Sequence, residues 1–379
     1  MSKAKPLAIG AHVALILGAA GAASLAAAAT PQAASSYTLS VFAAAPSGLS
    51  APDSIAVLDG HVFVGFGDGH KPDGSDGLNS QVVEYTMDGT WVHTFTVPGH
   101  SDGLKVNPHT RELWALQNED ANANLVIIDP KSGRQREFIF GPAPHGGGYD
   151  DMVFRGCKVY ISASNPANNP NIEPAIVSAR IDGRMVNVAP VLMGNASATD
   201  LPTGQSVTLN LQDPDSMTLN PLGDIVLDSQ GDQMLIIVTH PGTKQQQALR
   251  LPLSYMGPSG PTPVETDDTV FVTSAQGYIL FADKGLNEVF KLSRAAFSPG
   301  QAYTAADGGP FVGTLEMTSG VVMPVVTGLS NPGGMWFVDT SVRPEGDRGD
   351  RRHDQCGMDS DGNSGGNSDG NSDGNSHDK

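Results

Sequence analysis

Between residues 36 and 342 the apolar positions come in short runs separated by turn-forming clusters, and no run carries helical spacing over an ordinary helix length. The stretch Gly99–Phe140, "GHSDGLKVNPHTRELWALQNEDANANLVIIDPKSGRQREFIF", shows the unit: "LKV", "ELWAL", "LVIID" and "REFIF" are four strand-like runs divided by Asn-Pro, Asn-Glu-Asp and Lys-Ser-Gly clusters. Asp-Gly between β-forming residues, as in "MDGT" (Met87–Thr90) and "IDGR" (Ile181–Arg184), predicts hairpins between third and fourth strands.

The unit repeats. A short step before an apolar run recurs as "PDSIAV", "SDGLKV", "YDDMVF", "PDSMTL" and "DDTVFV", with an altered copy "PGGMWF". This alignment equates Asp53, Asp102, Asp150, Asp215, Asp268 and Gly333, which are 49, 48, 65, 53 and 65 residues apart. The longer gaps are read as loop insertions at "NASATDLPTGQSVTLNLQ" and "SPGQAYTAADGGP". Four antiparallel strands per repeat, arranged about an axis, describe an all-β propeller. "SYTLSVFAAAPSGLS" (Ser36–Ser50) reads as a fourth strand at the start of the chain, so the closing blade draws on both termini. Strand count fits six blades, and five with a shared closing blade as well.

The ends differ from this pattern. Residues 1–29 carry Lys3 and Lys5, an Ala/Leu/Ile/Gly run and small-residue cleavage sites, the features of an export signal. From 343 to 379 the chain becomes polar and repeats Asn-Ser-Asp-Gly, which predicts a disordered acidic tail unable to offset its ordering entropy. The expected propeller domain is thus 36–342, in a secreted or periplasmic protein that is not membrane-embedded after signal removal. Two cysteines, Cys157 and Cys356, are compatible with an oxidising compartment without forming a disulfide framework. The formal charge is −18, and about −20 once Lys3 and Lys5 are removed. With no basic stripe, nucleic acid is excluded as a partner. A small-molecule ligand or an envelope or extracellular protein remains.

The repeated acids set the candidate chemistry. In a propeller the innermost strand of each blade begins at one end of the axial channel, so Asp53, Asp102, Asp150, Asp215 and Asp268 are expected on one rim. Gathered carboxylates repel, and no Lys or Arg recurs beside these steps to balance them. A divalent cation would do so, with calcium favoured as a hard, oxygen-seeking ion. The same residues have a plainer use, because Asp in such steps also binds backbone N–H groups two residues on. Both uses stay open, blade by blade. Asp151, Asp213 and Asp267 flank the repeated acids and could add oxygens. His100 and His145 precede two of the steps and are the candidates for general base and acid. Gly146–Gly148 would permit close backbone approach. The nucleophile elbow, zinc-protease helix, phosphate loop and Cys-x-x-Cys are all absent from the sequence.

At "SDGLKVNPHTREL" and "PDSMTLNPLGDIVLD" the chain resembles the six-bladed propellers of the gluconolactonase and regucalcin group, within a wider set that includes paraoxonase-like and NHL-repeat propellers. The resemblance spans most of residues 50–340. It implies six blades, a divalent metal at the channel mouth held by acids and amides, and opening of cyclic esters. It carries a metal-ligand role to Asp102, Asp150 and Asp215. The group's early Glu-Gly-Pro acid is missing, with Asp53 its positional stand-in, and its Asn-Gly ligand step is replaced by Asp. The implied activity is a metal-dependent lactonase or esterase; the alternative is a non-catalytic, NHL-like ligand- or protein-binding propeller.

Overall fold

The computed structural model describes residues 30–341; the expected export signal, the tail and Cys356 lie outside them. The described chain is all-β. The first blade is Pro52–Leu58, His61–Phe66, Asn79–Thr86 and Trp91–Pro98, hydrogen-bonded in that order. The second repeats the plan with Ser101–Asn107, Glu112–Gln117, Asn124–Asp129 and Arg134–Phe140, and the third with Met152–Arg155, Lys158–Ser162, Pro174–Asp182 and Met185–Met193. The outer strands of these two meet in a brief parallel contact, Ile139 opposite Met185. The fourth blade is Pro214–Leu219, Ile225–Ser229, Met234–Thr239 and Gln247–Pro252.

The remaining strands are interleaved. Asp268–Phe271 pairs with Ala302–Ala306, not with the strand that follows it in sequence. The intervening Gly277–Asp283 and Glu288–Ser293 cross into the closing blade, between an innermost Pro332–Asp339 and an outermost Thr38–Ala44. Phe311–Leu315 and Val321–Thr327 complete the fifth blade. The closing blade therefore joins both ends of the described chain.

Both segments expected as loop insertions contain strands. "SPGQAYTAADGGP" holds Ala302–Ala306, whose residues, Tyr303 among them, are all buried and so lack the alternation that marks a strand in sequence. "NASATDLPTGQSVTLNLQ" holds the hairpin Ser197–Asp200 and Ser206–Thr208, laid parallel on the outer edge of the fourth blade, where it covers unpaired backbone groups.

Burial explains the pattern along the chain. Middle strands such as His61–Phe66 and Asn124–Asp129 are covered on both faces and read as continuous apolar runs. The outer strand Trp91–Pro98 is half solvated and keeps the exposed Thr96 between the buried Phe95 and Val97. The hairpin turns at Gly89 and Gly183 have φ of 85° and 59°, which Asp-Gly permits. Apolar side chains fill the seams between neighbouring sheets: Phe42, Tyr85 and Leu280 join the closing blade to the first, and Phe271, Leu251 and Val226 join the fourth to the fifth. Each fully buried aromatic or aliphatic side chain is worth about 1.5–3 kcal/mol. The innermost strands touch in sequence around the axis, and Pro332–Asp339 returns to Pro52–Leu58.

Candidate functional site

The recurring step is a β-bulge. In the first, second and fourth blades the pairing register shifts between Pro52 and Ile55, Ser101 and Leu104, and Pro214 and Met217. The closing blade shifts at Gly333–Met335. A bulge sets two residues against one and re-aims their side chains. Its first residue turns into the channel, and Gly103 and Gly334 in its second position pack on the next blade. Gly103 shows the second position's tightness: a Cβ there would lie 2.3 Å from the Asp150 carbonyl oxygen.

Seen this way, the fifth-blade acid at the rim is Asp267, not Asp268. Asp267 lines the mouth and accepts from Gly334 N–H at 3.2 Å. Asp268 occupies the second position, and its carboxylate accepts from the N–H groups of Thr269 (2.8 Å) and Met335 (2.6 Å). Asp151 does the same in the third blade, accepting from Met217 N–H at 2.9 Å and pairing with Lys105 at 2.7 Å. These acids tie one blade to the next. Asp213 likewise serves its own blade, accepting from Gly231 N–H at 2.9 Å.

Asp53, Asp102, Asp215 and Asp267 converge on a polar chamber of about 170 Å³. Glu119, Gln230, Asp307 and Lys284 also line it, and none of these four was foreseen from the sequence. All follow the second strands of their blades, which run antiparallel to the innermost ones and so end at the same rim. The available signal was position: a polar residue just beyond four of the second strands, as in "LQNED" and "FADKG".

Asp102 stands among Asp53, Asp150 and Glu119, close enough for carboxyl–carboxyl hydrogen bonds that each need a shared proton. Burial pushes Asp102 up to about 8 and Glu119 up to about 7, and neighbouring negative charge adds to both. Burial and the same repulsion raise Asp53, Asp150 and Asp215 well above the carboxylate range.

A counter-charge is nevertheless present. Lys284 Nζ lies 3.0 Å from Asp53 and 3.2 Å from Asp267. Burial opposes its charge, but Asp267, Asp53, Asp102 and Glu119 outweigh it and hold the ammonium protonated. No Lys or Arg recurs beside the repeated steps in sequence, and this one comes from elsewhere: it reaches the mouth from the blade whose own step has Gly333 in place of Asp. One ammonium among this many carboxyls leaves the chamber acidic.

The two histidines part company. His100 Nε2 is 3.9 Å from Glu119 Oε1, and ligand atoms of His100, Asp102 and Glu119 all fall within 4.8 Å of one another. Its backbone is clamped by Asn118, which accepts from His100 N–H at 2.9 Å and donates its own N–H to His100 O at 2.9 Å. Gly67 packs on the ring, where a Cβ would lie 2.7 Å from Cε1. Burial pushes the imidazole down to about 4, so it is neutral at pH 7. His145 is buried in its own loop, 2.7 Å from Gly148 O and edge-on to Tyr149 at 5.3 Å, and does not reach the chamber. The expectation that both histidines face the mouth therefore fails for His145, because Gly146–Gly148 fold it inward. Gly148 instead serves Glu119: a Cβ there would lie 2.2 Å from the Glu119 carbonyl oxygen, which also accepts from Ser164 Oγ.

These roles separate by mutation. Asp268→Asn weakens the acceptor of two buried N–H groups and is expected to cost about 1–3 kcal/mol. Asp215→Asn removes a repelling, desolvated charge and is expected to raise stability at pH 8 by about 1 kcal/mol. Urea unfolding of the two variants checks the contrast; equal losses would show that both acids act as blade ties.

No family model matches the chain, and no curated protein matches it. Solved structures do. Virginiamycin B lyase from Staphylococcus aureus is 9% identical over 81% of this chain and 90% of that one, with a TM-score of 0.44. A protein provisionally named a 6-phosphogluconolactonase, from Bacteroides fragilis, is 11% identical over 82% and 86%, with a TM-score of 0.43. Another provisionally named a gluconolactonase is 13% identical over 79% and 88%, also with a TM-score of 0.43. Two of these names are of the gluconolactonase type that the sequence resembles. The chemistry of the mouth rests on its own residues.

Proposed function

We propose that the mouth binds one divalent cation, calcium favoured, and that the loaded site hydrolyses a lactone or ester. The observation that carries this reading is the convergence of ligand atoms of Asp102, Glu119 and His100 within 4.8 Å of one another, with Asp53 and Asp150 beside Asp102 to add further oxygens. A carboxylate-rich donor set of this kind suits a hard cation, whose charge would relieve the repulsion that otherwise keeps these groups protonated. When bound, such a cation polarises a carbonyl or lowers the pKa of a water.

The chain's own residues supply the rest. His100, neutral and fixed by Asn118 at the edge of the acids, 3.9 Å from Glu119, is the group placed to accept a proton. Lys284 keeps Asp53 and Asp267 in place while presenting positive charge to the chamber. The small polar volume admits the reacting group of a substrate and leaves its bulk at the rim.

Calorimetric titration of calcium, followed by a screen of lactones and esters, tests the proposal. One site in the wild type, lost in Asp102→Asn/Glu119→Gln and kept in Asp268→Asn, supports it. Absence of binding at millimolar calcium sinks it and leaves the acids, with Lys284, as a structural network.

A further inference from the structure

The channel has a second chamber at its other end, about 750 Å³, lined by the later residues of the innermost strands and the turns beyond them. It differs from the mouth in chemistry. Phe154, Met217, Leu219, Phe271, Trp336 and Phe337 form its walls, and its size falls within the range of small-molecule sites.

Its inner end is polar and specific. Lys105 lines the chamber and pairs with Asp151 at 2.7 Å, the one ion pair of this lysine among the described residues. An ammonium has three donors, so Asp151 does not exhaust it. Asp268 stands in the same wall with its oxygens committed to the backbone of Thr269 and Met335. With two acids already beside Lys105, an added carboxylate would meet repulsion. A plain hydrocarbon would cover the ammonium and leave its donors unmet, which is costly in a buried site.

We propose that this chamber binds a neutral amphipathic molecule: an aliphatic or ring-based apolar body carrying one carbonyl oxygen, which accepts a hydrogen bond from Lys105 Nζ. The ester or ketone oxygen enters first, and the apolar body fills the space between Phe154, Phe271 and Trp336.

Methyl decanoate, decanoate and decane are the probes, titrated into the full chain at pH 8 with calorimetry and tryptophan fluorescence. Saturable binding of methyl decanoate, at least tenfold tighter than decane and than decanoate, is expected, with quenching that Trp336→Phe removes. Leu219→Trp fills the chamber and is expected to weaken binding at least tenfold. Should that variant melt early, Pro221→Trp at the outer rim is the substitute. Asp102→Asn at the mouth is expected to leave binding unchanged, which separates this site from the cation site. No saturable binding, equal affinity for ester and decane, or insensitivity to both blocking variants overturns the proposal.

Discussion

Without a divalent cation the protein is expected to melt about 5–10 °C lower at pH 8.5 than at pH 6.5, and calcium is expected to remove most of the difference. The direction follows from the buried acids. Asp102, pushed up to about 8, and Glu119 and Asp268, each up to about 7, hold protons in the folded chain that the unfolded chain has already released. Their contribution is fully unfavourable only above these values, so stability falls as pH rises through 7 and 8. His100, pushed down to about 4, has the opposite sign, but its effect is confined between that value and 6.5. Acids whose pKa is lowered by hydrogen bonds, such as Asp73 and Asp129, cost the protein stability only when they protonate at acid pH. A cation binds the ionised carboxylates, so its stabilisation grows with pH and reaches about 4 kcal/mol at a thousandfold excess over Kd. Thermal melts at the two pH values, with EDTA and with calcium, decide the matter. A melting point that rises from pH 6.5 to 8.5 in EDTA would show that the rim acids are already ionised and well solvated.

Lys284→Met is expected to be the most damaging single change at the mouth, costing about 3–5 kcal/mol at pH 8. It removes the partner of Asp53 and Asp267 and leaves both charges enclosed beside Asp102. At pH 6 the loss should shrink, because the abandoned carboxyls can take up protons. Adding Asp267→Asn should recover part of the stability, as one stranded charge is gone. Urea unfolding of the single and double variants at both pH values measures this. A loss below about 1 kcal/mol at pH 8 would mean that water, not Lys284, balances the acids.

Much of this architecture was legible in the sequence. Strand class, repeat length and the acid before each inner strand are local properties: apolar runs bounded by turn residues, and a step whose first residue is nearly always Asp. The rim positions of Asp53, Asp102 and Asp215 follow from that step, and Asp150 stands with them through Asp102. The step's second residue was harder to read. "YDDMVF" and "TDDTVF" each hold two acids in a row, and only the pairing register in the folded blade decides that Asp267 turns to the channel while Asp151 and Asp268 turn to the next blade. A shift of one residue reverses a side chain's direction, and letters alone do not carry the register.

The tertiary structure decided the rest through contacts distant in sequence. Gly277–Asp283 joins the closing blade because Pro332–Asp339 and Thr38–Ala44 bracket its hairpin, and neither partner is nearby in the chain. That crossing brings Lys284 to Asp53, which no local pattern could announce. Glu119 enters because its loop rests on Gly148 of the neighbouring blade, while the same glycine-rich loop folds His145 away from the chamber. Strand formation is set by a residue's neighbours along the chain. The composition of an axial site is set by which strands share the axis and which way each bulge turns its side chains, and both are properties of the closed ring.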